Sequence, residues 1–89
     1  MKAILTIIGM DRPGIVYKTS EVLYKFNINI LDISQTIMAD KFVAMFNIDF
    51  STSDASFEQV AEAFDNLSDE IGVDIRIQNE ALFDKMHRI

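Results

Sequence analysis

The sequence predicts an α+β domain: a four-stranded antiparallel sheet with two helices on one face and a short C-terminal helix. Three observations carry this. Strand-like runs and helical stripes follow each other in the order strand, helix, strand, strand, helix, strand. The two middle strands are separated only by Ala39-Asp40-Lys41, a polar break of hairpin length. One proline and three glycines punctuate the chain instead of interrupting its elements. This order is the split β-α-β unit of the ferredoxin-like sandwich. Two right-handed crossovers put both helices on the same side of its sheet. At 89 residues the chain reads as a single domain, 1–89, with a core over 1–78 and a helical tail over 79–89.

Each element has its own signal. Ala3 to Ile8 is aliphatic and β-branched, a buried strand. Gly9 to Gly14 reads as a tight loop. From Ile15 the period changes: Ile15, Thr19, Val22, Leu23 and Phe26 share a helical stripe, while Lys18, Glu21 and Lys25 point away. Pro13 suits the first turn of this helix, where its missing N–H is not needed. Asn27 suits the left-handed residue that ends it.

Ile28 to Ile37 then alternates, with Leu31, Ile33 and Ile37 opposed to Asp32, Ser34 and Thr36. Phe42, Ala44, Phe46, Ile48 and Phe50 alternate with Val43, Met45, Asn47 and Asp49. Ser53, Asp54 and Ser56 are candidate N-caps for the second helix, and Ser56 with Gln59 has capping-box spacing. Phe57, Val60, Ala61, Phe64, Leu67 and Ile71 form its apolar stripe, and Gly72 stands where it should stop. Val73, Ile75 and Ile77 mark the fourth strand. Leu82, Phe83, Met86 and Ile89 share one face of the terminal helix, which begins near Asn79 or Glu80.

Composition excludes several functions. There is no cysteine, so disulfide scaffolds, thiolate metal sites and cysteine nucleophiles are absent. A reducing cytoplasm is the expected location. No apolar run approaches the roughly 20 residues of a membrane span. Eight Lys and Arg stand against fourteen Asp and Glu, a net charge of −6, and the cations are scattered. Such a surface repels nucleic acid and anionic membranes. His87 is the only histidine and lies in the tail. Neither a catalytic set, nor a metal site, nor a cofactor site is expected. Asp32 and Asp49 lie within strands and are read as facing water.

The strands carry more apolar residues than one buried face requires. Val43 and Met45 oppose the Phe42 set, and Ile4 and Ile8 oppose Leu5 and Ile7. A sheet with one wet face alternates more cleanly. Surplus apolar surface marks an interface. Self-association is expected, through the open face or through an edge strand; the Leu82–Ile89 stripe is the alternative cover.

The most distinctive segment is Gly9-Met10-Asp11-Arg12-Pro13-Gly14, which closes a strand and opens a helix. The free N–H groups of such a helix attract a carboxylate. Asp11 is a candidate acceptor for an ammonium group, and Asn29 a candidate donor and acceptor. Together they complement both ends of an amino acid. Asp11 can equally serve as the helix cap.

Ile8 to Val16, followed by Phe26-Asn27-Ile28-Asn29-Ile30, resembles the ACT domain, a small ligand-binding regulatory module of the same element order. The resemblance runs through Gln78. The Asp-Arg-Pro-Gly form is similar to the ACT modules of glycine-cleavage repressors and of formyltetrahydrofolate deformylase. The tail is similar to that of a bacterial group of free-standing ACT proteins. The resemblance implies a homodimer, often one eight-stranded sheet, with an amino acid bound near the loop after the first strand. It implies ligand contacts from Met10, Asp11, Arg12, Pro13, Gly14 and Asn29, and output through a regulatory protein partner. In serine-binding members a loop histidine matches Gly9 and an asparagine matches Asp11, so serine specificity does not carry over. The alternative is a dimerisation module without a ligand.

Overall fold

The structure is a computed structural model that describes residues 1–81. The strands are β1 (Lys2–Met10), β2 (Asn29–Met38), β3 (Lys41–Asp49) and β4 (Asp74–Asn79). The helices are α1 (Ile15–Lys25) and α2 (Phe57–Ile71). The sheet is antiparallel throughout, in the order β2-β3-β1-β4. The ferredoxin-like architecture is therefore as expected. The helical stripe at Leu82 to Ile89 lies outside the described residues.

The period-two pattern of β1 and β3 places the core. Ala3, Leu5 and Ile7 of β1 lie beside Ile48, Phe46 and Ala44 of β3, all buried under the helices. α1 contributes Ile15 and Leu23, and α2 contributes Val60, Phe64 and Leu67. Thr19 is the buried polar residue in this set. Its hydroxyl donates to the Ile15 carbonyl at 2.8 Å, so burial leaves this hydroxyl paired.

The helix ends follow the sequence with one revision. Ser56 caps α2 in a complete capping box: its side chain accepts from the Gln59 N–H at 3.1 Å, and Gln59 accepts from the Ser56 N–H at 2.8 Å. Gly72 ends α2 at φ 69° and Asn27 follows α1 at φ 57°, both left-handed. Pro13, however, lies before α1 and not in its first turn. Gly14, at φ 94°, is the N-cap and starts the helix one residue later.

β1 runs through Gly9 and Met10, which the sequence placed in the loop. β2 is the long edge strand, and its pairing with β3 slips by one residue between Ile30 and Asp32. Ile33 and Ile37 lie opposite Phe46 and Phe42, yet they are 40% and 58% exposed. The physical reason is position: the helices cover β3, β1 and β4 and leave β2 at their margin. On the sheet face turned from the helices, Ile8 and Met10 are exposed while Ile4 is buried.

Candidate functional site

Two glycines with different duties shape the loop after β1. Gly9 faces Val73, so close that an added Cβ would sit 2.6 Å from its Cγ1. Gly14 has open space around it, but its φ of 94° disfavours any other residue. Gly14 thus serves the turn and not a close approach. The loop is tied down on both sides. The Asp11 N–H donates to the Asp40 carbonyl in the β2–β3 turn at 2.9 Å. The Arg12 guanidinium donates to the Ile71 carbonyl at the C-terminal end of α2. A cation at that end complements the helix dipole, and α2 has no basic residue of its own in its last turn.

The opening of α1 is electrostatically bare. It has no side-chain cap and no acid in its first turn. Asp11 therefore does not cap the helix. The first intrahelical bond runs from the Lys18 N–H to the Gly14 carbonyl at 2.9 Å. The preceding N–H groups keep their donor capacity for water or an anion. They open onto a cavity of about 270 Å³ lined by Arg12, Pro13, Gly14, Ile15, Lys18, Glu70 and Ile71. Lys18 Nζ lies 3.4 Å from Glu70 Oε2 across it. Cation, anion and helix N-terminus thus share one niche. Glu70 and Lys18 were not singled out from the sequence. Glu70 sits 52 positions from Lys18, and no local pattern joins them.

Asn29 is elsewhere. Lys2, Asp49 and Asn29 are in register at one end of the sheet, and Met10, Lys41 and Met38 at the other. Eight residues of strand separate the ends, roughly 26 Å at about 3.3 Å each. Asn29 lines a second polar cavity of about 300 Å³ with Asn27, Ile28, Asp49, Ser51 and Thr52. There Asn27 Nδ2 donates to the Thr52 carbonyl at 2.8 Å, and the Thr52 hydroxyl donates to the Asn27 carbonyl at 2.9 Å. The Ser51 N–H and hydroxyl donate to Asp49 at 3.0 and 2.9 Å. These two bonds hold the Asp49 carboxyl below its ordinary pKa, with a lesser contribution from Lys2 and the N-terminal ammonium. Within the chain, then, Arg12, Pro13 and Gly14 come together, Asp11 lies beside them, Met10 lies on the uncovered sheet face, and Asn29 is remote.

Comparisons with known proteins show the family and the fold. The family model described as ACT domain matches residues 2–78. The chain belongs to the ACT domain family. A UPF0237 protein of Clostridium acetobutylicum is 45% identical over the whole of both chains. One of Methanopyrus kandleri is 42% identical over 99% of this chain and 98% of its own. Among solved structures, an ACT domain protein from Streptococcus pneumoniae superposes with a TM-score of 0.82 at 34% identity, covering 94% of each chain. A formyltetrahydrofolate deformylase from Pseudomonas syringae matches over 88% of this chain but only 27% of its own, with a TM-score of 0.79 and 30% identity. A protein described as a putative glycine cleavage system transcriptional repressor shares the fold, with a TM-score of 0.74 at 19% identity, over 86% of this chain and 44% of its own.

As an ACT domain, the chain carries no cluster of three or more His, Cys, Asp or Glu placed to hold a metal among the described residues. No helix among them is long and apolar enough to cross a membrane.

Proposed function

We propose that this ACT domain is a regulatory module that binds an amino acid at the β1–α1 loop and works as a homodimer. The observation that carries the reading is the niche at the bare N-terminus of α1. The free N–H groups, with Arg12 and Lys18, suit a carboxylate. Glu70 and Asp11 suit the ammonium group. The niche is small, which fits a single amino acid better than a nucleotide or a peptide. A regulatory subunit of an aspartate kinase from Thermus thermophilus has the same fold, with a TM-score of 0.67 at 24% identity over 89% of this chain and 51% of its own. That likeness supports a regulatory role. Any output then passes to a partner protein through a ligand-dependent change in assembly.

The test is a thermal-shift screen of the amino acids at millimolar concentration. At 100 times its Kd a ligand adds about 2.7 kcal/mol to the folded state, a rise of several degrees. Lys18→Ala should abolish the shift and leave the melt without ligand nearly unchanged, since its exposed ion pair contributes little. No shift with any amino acid would refute the ligand reading.

One observation favours a second reading, a dimerisation module without a ligand. Arg12 and Lys18 already have partners in the Ile71 carbonyl and Glu70. A dimer indifferent to all amino acids would support it.

A further inference from the structure

We propose that residues 82–89 fold back over the sheet face turned from the two helices, as a third layer that crosses Ile4 of β1 toward Met45 of β3. Burial and spacing carry this, independently of amino-acid binding. Ala3, Leu5 and Ile7 face the helices, so Ile4, Thr6, Ile8 and Met10 face the other side. Both helices pack on the opposite face, yet Ile4 is only 6% exposed. Among the described residues it is also the one buried apolar side chain outside the cluster packed under the helices. Ile8 is the internal control. It has the same side chain, on the same strand and the same face. Val43 and Asp74 flank it as Asn47 and Gln78 flank Ile4. Ile8 is 45% exposed. Flanking strands alone therefore do not bury an isoleucine at this face, and Ile4 has a roof that Ile8 lacks.

The roof comes from one end of the sheet. Along β1 the open face passes from buried Ile4 through partly buried Thr6 to exposed Ile8 and Met10. Along β4 it passes from partly buried Gln78 to exposed Arg76 and Asp74. In both strands burial increases toward the point where the chain leaves β4. Asn79 pairs with Ala3, one residue from Ile4. There the backbone turns helical at Glu80 and Ala81, and the Ala81 N–H donates to Asn79 Oδ1 at 2.9 Å, the bond of an N-cap.

The residues that follow suit such a roof. Leu82, Phe83, Met86 and Ile89 share one helical face, and Asp84, Lys85, His87 and Arg88 share the other. A helix from Glu80 to Ile89 extends about 15 Å, against about 14 Å for the three strand spacings of this sheet. Val43 and Met45, on the same open face, are partly buried. The exposure of Ile8 and Met10 sets the direction. A segment running along β1 buries both, whereas one crossing β1 toward Met45 leaves them open. The apolar residues that one buried face does not require thus form a second, smaller core, and a face covered in this way is closed to stacking on another sheet.

The chain has no cysteine, so each introduced thiol reports without background. Ile4→Cys should react with a water-soluble thiol reagent far more slowly than Ile8→Cys. With Phe83→Asp and Met86→Asp added, its labelling should quicken by more than about tenfold, the scale set by losing two buried side chains of this size. Ala3→Cys, under the helices, should stay protected in the same background and so show that the domain remains folded. Independently, Met45→Cys with Met86→Cys should close a disulfide within one chain under mild oxidation, and Met10→Cys with Met86→Cys should not. An Ile4→Cys thiol indifferent to the aspartates, with Ala3→Cys protected, would overturn the proposal. So would protection of Ile4→Cys that fades on dilution, which assigns the roof to a second copy. A Met45→Cys, Met86→Cys variant that links only between chains, or not at all, would overturn it too. If the aspartates expose Ala3→Cys as well, the domain has unfolded and the disulfide variants decide alone.

Discussion

Replacing Gly9 by alanine tests how β1 is joined to the rest of the fold. In an ordinary strand, alanine in place of glycine stabilises by about 0.4–1 kcal/mol, because the unfolded chain loses freedom. Here the sign should reverse. The new methyl carbon would lie 2.6 Å from Val73 Cγ1, 2.8 Å from its Cβ and 3.1 Å from its Cα. A change of rotamer relieves only the first of these. The Cα is backbone, and Val73 is buried between the end of α2 and the start of β4. Overpacking of this kind costs about 1–3 kcal/mol. Set against the usual gain, the net loss should be about 1–2 kcal/mol, a fall of about 5–15 °C in Tm for a domain of this size. The assay is thermal and urea unfolding of Gly9→Ala, Val73→Ala and the double variant. The two changes should be less than additive, since Val73→Ala removes the nearest of the clashing atoms. A Gly9→Ala protein as stable as the parent, or additive losses, would refute the argument.

Three further outcomes follow from the same structure. Gly14→Ala meets no neighbour and should cost about 1–2 kcal/mol through its left-handed backbone alone; Gly14→Asn should cost less, and urea midpoints decide. Ser56→Ala breaks the capping box of α2 and should cost about 1 kcal/mol, read as a Tm loss of about 4–8 °C. Asp49 has a lowered folded pKa because Ser51 donates twice to its charged form. Its contribution is present above the unfolded value, near 4, and is lost as pH falls through the folded one. The gap in urea midpoint between the protein and Asp49→Asn should therefore close as pH drops from about 6 to about 3.

Some of this was legible in the residues. The Phe42-Ala44-Phe46-Ile48 alternation and the Phe57–Ile71 stripe name their buried faces directly, because period two and period 3.6 permit few alternatives over such lengths. Ser56 with Gln59 and Gly72 announced the ends of α2, since caps are local chemistry. The start of α1 was less legible. Pro13 is compatible with the first turn, but Gly14 takes the left-handed cap and the helix begins after it. Glu70 in the niche was invisible, because it meets Lys18 only after the chain has crossed the sheet twice.

By itself the sequence determined the order of the strands and helices over residues 1–79 and the buried faces of β3 and α2. Each is a property of neighbours along the chain. Only the tertiary structure decided that β2 stands at an exposed edge, that Arg12 closes the end of α2, and that Asn29 lies at the far end of the sheet from Asp11. These depend on strand order and register, which come from hydrogen bonds and packing between distant segments. The same apolar residue is buried in a central strand and exposed at an edge, as Phe46 and Ile33, opposite each other, demonstrate.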